Sequence, residues 1–160
     1  MTTELIKQFE EKFEEMKREL GFASNLEDLD KIFFLRDSIL KEKYVSANLS
    51  RQVCGRIVET YMSWVNYLHS VIAPNPAYLV SINESSAFSE RERENMARLI
   101  SKLMSVVTKN TLVGITKDKA KEAEFIDGAV KFWNVAFKPE ITSVLEKINN
   151  KRVKDSMPKL

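Results

Sequence analysis

The stretch LSRQVCGRIVETYMSWVNYLHSVI, residues 49–72, constrains this chain more than any other. Wound as a helix, it places Val53, Cys54, Ile57, Val58, Tyr61, Met62, Trp64, Val65, Tyr67, Leu68 and Ile72 over well more than half of its circumference. A helix that is apolar on most sides has to be surrounded by other elements, so this segment predicts the centre of a bundle. The coverage has to come from helices. Only four glycines and four prolines occur in 160 residues, too few for the repeated chain reversals of a sheet protein. The reading is therefore an all-α, single-domain irregular or orthogonal bundle of about six to seven helices around residues 49–72. It spans residues 1–150 and is followed by a basic, flexible tail over 151–160.

The flanking segments carry ordinary helical punctuation. Ile6, Phe9, Phe13, Met16 and Leu20 step by three and four, and Gly21 supplies a stop. Ser24 and Glu27 form a capping-box pattern that predicts one helix running to about Lys43, with Leu26, Leu29, Ile32, Phe33, Ile39 and Leu40 inward. Pro74, Asn75 and Pro76 break the chain before a short helix around 77–82. Ser89 and Glu92 repeat the capping box ahead of a helix with Met96, Leu99, Ile100, Leu103, Val106 and Val107 inward, expected to fray near 110–114. Thr116 is a cap for the next helix, which buries Phe125, Ile126, Ala129, Val130, Phe132, Trp133, Ala136 and Phe137. Pro139 opens the last helix, with Ile141, Val144, Leu145 and Ile148 inward.

Several chemistries have no sequence basis. There is no glycine-rich phosphate loop, HExxH, calcium loop or GxSxG. Cys54 is the one cysteine, expected as a small buried side chain. His69 is the one histidine, near the edge of an apolar arc, which predicts a partly buried structural role. No catalytic residue, metal ligand or cofactor is assigned. The N-terminal MTTELIKQFEEKFEEM lacks a signal-like apolar run and no segment approaches membrane-spanning length. The expected location is cytoplasmic, with no membrane partner.

Three charged patterns remain. Glu10, Glu11 and Glu14, then Glu27 and Asp30 after twelve intervening residues, spell EExxE and ExxD. This resembles the magnesium-binding pattern of all-helical nucleotide pyrophosphatases and implies carboxylates on two facing helices holding Mg²⁺ against a triphosphate. At about 100° per residue, however, Glu10, Glu11 and Glu14 fall opposite the apolar seam of their helix, so a solvated face is the preferred reading and a pyrophosphatase ranks third. Arg91, Arg98, Lys102 and Lys109 lie within about 40° of one another along roughly 27 Å of helix. With Lys151, Arg152 and Lys154 of the tail they form the alternative reading, a nucleic-acid-binding surface. Gln52, Arg56, Glu59, Ser63, Asn66 and Ser70 make a polar row on the central helix, read as its one wet edge.

Phe34 and Leu35 lie off the apolar stripe of the second helix, and Val135 off that of the sixth. Uncovered, such side chains mark a partner surface. The leading expectation is accordingly a non-enzymatic binding or assembly module that works through protein–protein contacts and associates with itself, for instance as a homodimer.

Overall fold

The computed structural model describes residues 2–157 as helices joined by short connections. Their order is α1 Thr2–Leu20, α2 Leu26–Phe33, α3 Leu35–Glu42, α4 Leu49–Ile72, α5 Leu79–Ser85, α6 Glu90–Thr116, α7 Lys119–Phe132 and α8 Lys138–Ser156. A π-helical turn over Trp133–Phe137 fuses α7 to α8, so the described residues form seven helical rods. The fold is the expected all-α bundle.

α4 is its centre. Val53, Cys54, Ile57, Tyr61, Val65, Leu68 and Val71 are buried, and α1, α2, α3, α5, α6 and α7 all pack against it, α6 most extensively. Tyr61 is fully enclosed, with its ring edge-on to Phe33 of α2, Phe132 of α7 and Phe137 of the π turn at 5.6–6.2 Å between centroids. Its hydroxyl donates to the carbonyl of Ala129 at 2.6 Å. Burial pushes this phenol well above its usual pKa, so the group remains a donor.

The π turn has a local cause. Pro139 has no N–H, and its ring would meet the carbonyl four residues back in a regular helix. Widening the preceding turn removes that clash, and the N–H of Lys138 bonds instead to the carbonyl of Trp133, five residues back. The wider turn also brings residues five apart to one side. Phe132 and Phe137 stack at 6.4 Å and both reach Tyr61. Pro139 therefore redirects a continuing helix and does not open a separate one.

The predicted second helix is two helices. Phe34 adopts a left-handed conformation at φ 54°, unusual for a bulky side chain, and divides α2 from α3. Three polar contacts hold the break. The Asp30 carboxylate accepts the backbone N–H of Arg36 at 2.9 Å, the Phe34 N–H donates to the Asp30 carbonyl at 2.8 Å, and Nε of Arg56 from α4 donates to the Phe33 carbonyl at 2.7 Å. The cap also shifts by one residue: Asn25, not Ser24, accepts from the N–H of Asp28.

Ser24 is released for another role. Its N–H and hydroxyl, with the N–H of Ala23, converge on the carboxylate of Asp127 in α7 at 2.6–3.2 Å, tying the α1–α2 connection to the far end of the sequence. Elsewhere the Ser89–Glu92 capping box forms as expected. α6 does not fray but runs to Thr116, leaving Asp118 to cap α7. α8 continues to Ser156, so the expected tail is helical over its first six residues. Its last three, 158–160, lie outside the described residues.

Burial would raise the Asp127 carboxyl, but the Ser24 hydroxyl, the N–H groups of Ala23 and Ser24 and the charge of Lys17 outweigh it and hold the group below 3.8. A carboxyl depressed by folding stabilises fully above its unfolded pKa and loses that contribution as pH falls through the folded value. Asp127→Asn is therefore expected to cost about 1–2 kcal/mol in denaturant unfolding near neutral pH. The gap to wild type should narrow below about pH 3.8. A gap that stays constant down to about pH 2 would remove Asp127 from this role.

Candidate functional site

An open groove of about 690 Å³ lies between α6 and the α7–α8 rod. The floor is apolar because residues of the inward stripes of two helices reach it. Val106 and Val113 come from α6, and Phe125, Ala129 and Phe132 from α7. Behind Ala129 stands Tyr61, whose hydroxyl fixes the α7 wall to the central helix. Leu112 forms an exposed lip, and Lys102, Lys109, Lys121 and Glu124 stand around the opening. Among the described residues Lys109 and Lys121 have no ion pair, while Lys102 lies 3.6 Å from Glu140. Such a surface can hold an apolar element that carries negative charge at its edges.

A second cleft, of about 520 Å³, is polar. At its base Arg51 of α4 bonds Glu122 of α7 at 2.9 Å and both the side chain and carbonyl of Asn110 in α6. A Cβ at Gly114 would lie 3.2 Å from the Arg51 guanidinium, so the missing side chain makes room for this clamp. No buried side-chain polar atom among the described residues lacks a partner, which makes the cleft a satisfied junction of three helices. Cys54 is fully buried. Burial, with Glu122 adding and Arg51 opposing, pushes its thiol up to about 12. It is a core side chain, as expected.

The partner-surface residues divide. Phe34 is 54% exposed and Val135 69% exposed, but Leu35 is 2% exposed and belongs to the core. Leu35 is thus corrected. The left-handed residue before it resets the helical phase, so Leu35 and Ile39 turn inward together. Tyr78, Leu79, Val80 and Ile82, at and within α5, are a further exposed apolar group. Sequence periodicity misses it because α5 is too short to show a stripe. Arg93 of α6 anchors it from below by bonding the carbonyls of Ile72, Ser85 and Phe88.

The basic residues are spread and largely compensated. Arg98 meets Glu94, Lys102 meets Glu140, Lys151 meets Asp155 and Arg152 meets Glu84. Among the described residues Arg91, Lys109 and Lys154 have no such pair. Lys102 and Lys109 instead face the apolar groove.

The acidic motif is partly assembled, though not as a metal site. Glu10, Glu27 and Asp30 converge on Arg36, with N–O distances of 3.0, 2.8 and 2.8 Å. The guanidinium occupies the point where these carboxylates meet, and its pKa is raised above the ordinary value. The hydrogen bond to Glu27 is the largest cause, burial opposes it, and Asp30 and Glu10 add to it. Glu10 is therefore not free on a solvated face, whereas Glu11 and Glu14 are exposed. No group of three or more His, Cys, Asp or Glu among the described residues is placed to hold a metal ion. His69 is exposed rather than partly buried. In the polar row, Gln52 and Arg56 bond the end of α3 and the α2–α3 break, while Glu59, Ser63, Asn66 and Ser70 are exposed. No described helix is long and apolar enough to cross a membrane.

No protein-family model, curated protein or solved structure matches this chain.

Removing Arg36 leaves three carboxylates facing one another. Arg36→Met is expected to lower stability by about 1–2 kcal/mol in low salt, with a smaller loss in high salt. Mg²⁺ should leave the wild-type melting temperature unchanged. A clear rise on adding Mg²⁺ would revive the metal reading of the acidic motif.

Proposed function

We propose that this chain is a non-enzymatic helical binding module that works through protein–protein contacts and associates with itself. The observation that carries this reading is Phe34. A bulky aromatic residue in the left-handed region costs about 1–2 kcal/mol relative to glycine, and here the strained conformation turns the ring toward solvent. Asp30, Arg36 and Arg56 hold it there. Strain maintained by a network, with an apolar ring as its outward result, suits an anchor that a partner covers. Val135 and the Tyr78–Ile82 group supply further uncovered apolar surface.

Nucleic-acid binding ranks below this reading, since four of the seven proposed basic residues are paired with carboxylates. The magnesium-dependent pyrophosphatase ranks third, because Arg36 takes up three of the five acids it requires.

Size-exclusion chromatography with light scattering tests the reading. The wild-type mass should rise above 18.5 kDa with concentration. Phe34→Gly should remain monomeric while changing stability by no more than about 0.5 kcal/mol, because relief of strain offsets the lost contacts of a half-exposed ring and the added freedom of glycine in the unfolded chain. The fully buried neighbour makes the contrast: Phe33→Ala should cost about 3–5 kcal/mol. A wild type that is monomeric at every concentration, or a Phe34→Gly variant that associates equally, contradicts the proposal.

A further inference from the structure

We infer that the groove between α6 and the α7–α8 rod is a second binding surface, and that its occupant is an amphipathic helix of a partner protein bearing acidic residues beside its apolar face. Three observations converge on that occupant.

The first is the nature of the walls. Both are α-helical, with backbone N–H and C=O groups already bonded within their own helices. An extended strand laid on this floor would bury backbone polar groups with nothing to pair them. A helix satisfies its own backbone and can present a purely apolar face. From Lys102 to Val113 the α6 wall runs about 16 Å, the length of three helical turns.

The second is charge. Lys102, Lys109 and Lys121 surround the opening against Glu124 alone, and two of these lysines have no ion pair among the described residues. Acidic residues flanking an apolar stripe would meet them at the rim, where such pairs steer and select. Phosphates would find the same lysines, but the floor between them is apolar, Phe125 lies too deep to stack on a base, and Phe132 is already engaged by the rings of Tyr61 and Phe137.

The third is Gly128. It lies within α7, exposed in the groove, and a Cβ added there would meet nothing within 4 Å. Glycine in a helix interior is destabilising by about 0.5–1 kcal/mol relative to alanine, and no neighbour in this chain requires it here. An approaching helix does, because the absent side chain lets two backbones pack closely.

The test uses two labelled synthetic peptides of about 14 residues, matched to the groove length. Both carry the same leucine face at helical spacing, one flanked by glutamates and the other by lysines. The glutamate-flanked peptide should bind in a salt-dependent manner and the lysine-flanked peptide at least about tenfold more weakly. Lys109→Glu with Lys121→Glu should reverse that preference. Gly128→Leu should abolish binding of both peptides while melting at or above the wild-type temperature, which separates a filled groove from a misfolded protein. Phe34→Gly should bind the glutamate-flanked peptide like wild type, so failure here and failure of the Phe34 reading remain distinguishable. Equal binding of the two peptides, undiminished binding by Gly128→Leu, or tighter lysine-dependent binding of an anionic-lipid vesicle or a single-stranded oligonucleotide than of the acidic peptide would each overturn the inference.

Discussion

A phenol cannot be buried without an acceptor, and the one that Tyr61 finds decides how the second half of this protein lies on the first. Its hydroxyl meets the carbonyl of Ala129, a group already serving the helix it belongs to. That bond, together with the ring packing around it, ties α7 to α4. The rings of Phe33, Phe132 and Phe137 then close around Tyr61 from three elements, with Trp133 at 6.4 Å. The π turn is part of the same constraint. Without it Phe132 and Phe137 would diverge around the helix, and the ring cluster would lose one side. The groove floor at Ala129 thus owes its position to a polar contact on the far side of the same residue.

Polar groups likewise decide where helices stop being regular. Asp127 draws Ala23 and Ser24 across more than a hundred residues of sequence, and the helix start moves to Asn25 in consequence. Asp30 and Arg56 reach around Phe34 from opposite sides, and Arg36, whose backbone Asp30 holds, gathers Glu10 and Glu27 from α1 and α2. The apolar pattern selects which faces turn inward. The charged residues select at which residue each turn is broken.

This division explains what could be read in advance. The core of α1, α4 and α6 follows directly from three-four spacing, since each is a long helix with an unbroken phase. Phe34 and Val135 stand out in the sequence for the same reason, as apolar residues off the stripe. Leu35 could not be read correctly, because one left-handed residue advances the phase of everything after it, and no periodicity survives a change that depends on Arg56 more than twenty positions away. The acidic motif was legible as a cluster but not as a purpose. The wheel turns Glu10 outward, yet a long arginine on a neighbouring helix reaches it there. The groove was the least legible. Lys102 and Lys109 appear as a basic stripe only until α7 is set beside them, at which point they frame an apolar floor together with Lys121.

Exposed apolar surface in this molecule has two distinct origins. Phe34 and Val135 are turned outward where helical phase is interrupted, by a left-handed residue and by a π turn respectively. The groove floor arises differently, from the neighbouring helices α6 and α7, which leave an open cleft between them, with Gly128 on one wall lacking a side chain that its surroundings would accommodate. A phase break presents one side chain, suited to insertion into a partner, whereas a groove receives the side chains of another element. The two surfaces are formed by different helices, α2 and α3 for Phe34 and α6 and α7 for the groove. Occupying one would therefore leave the residues of the other uncovered, so the two proposed contacts do not compete for the same side chains.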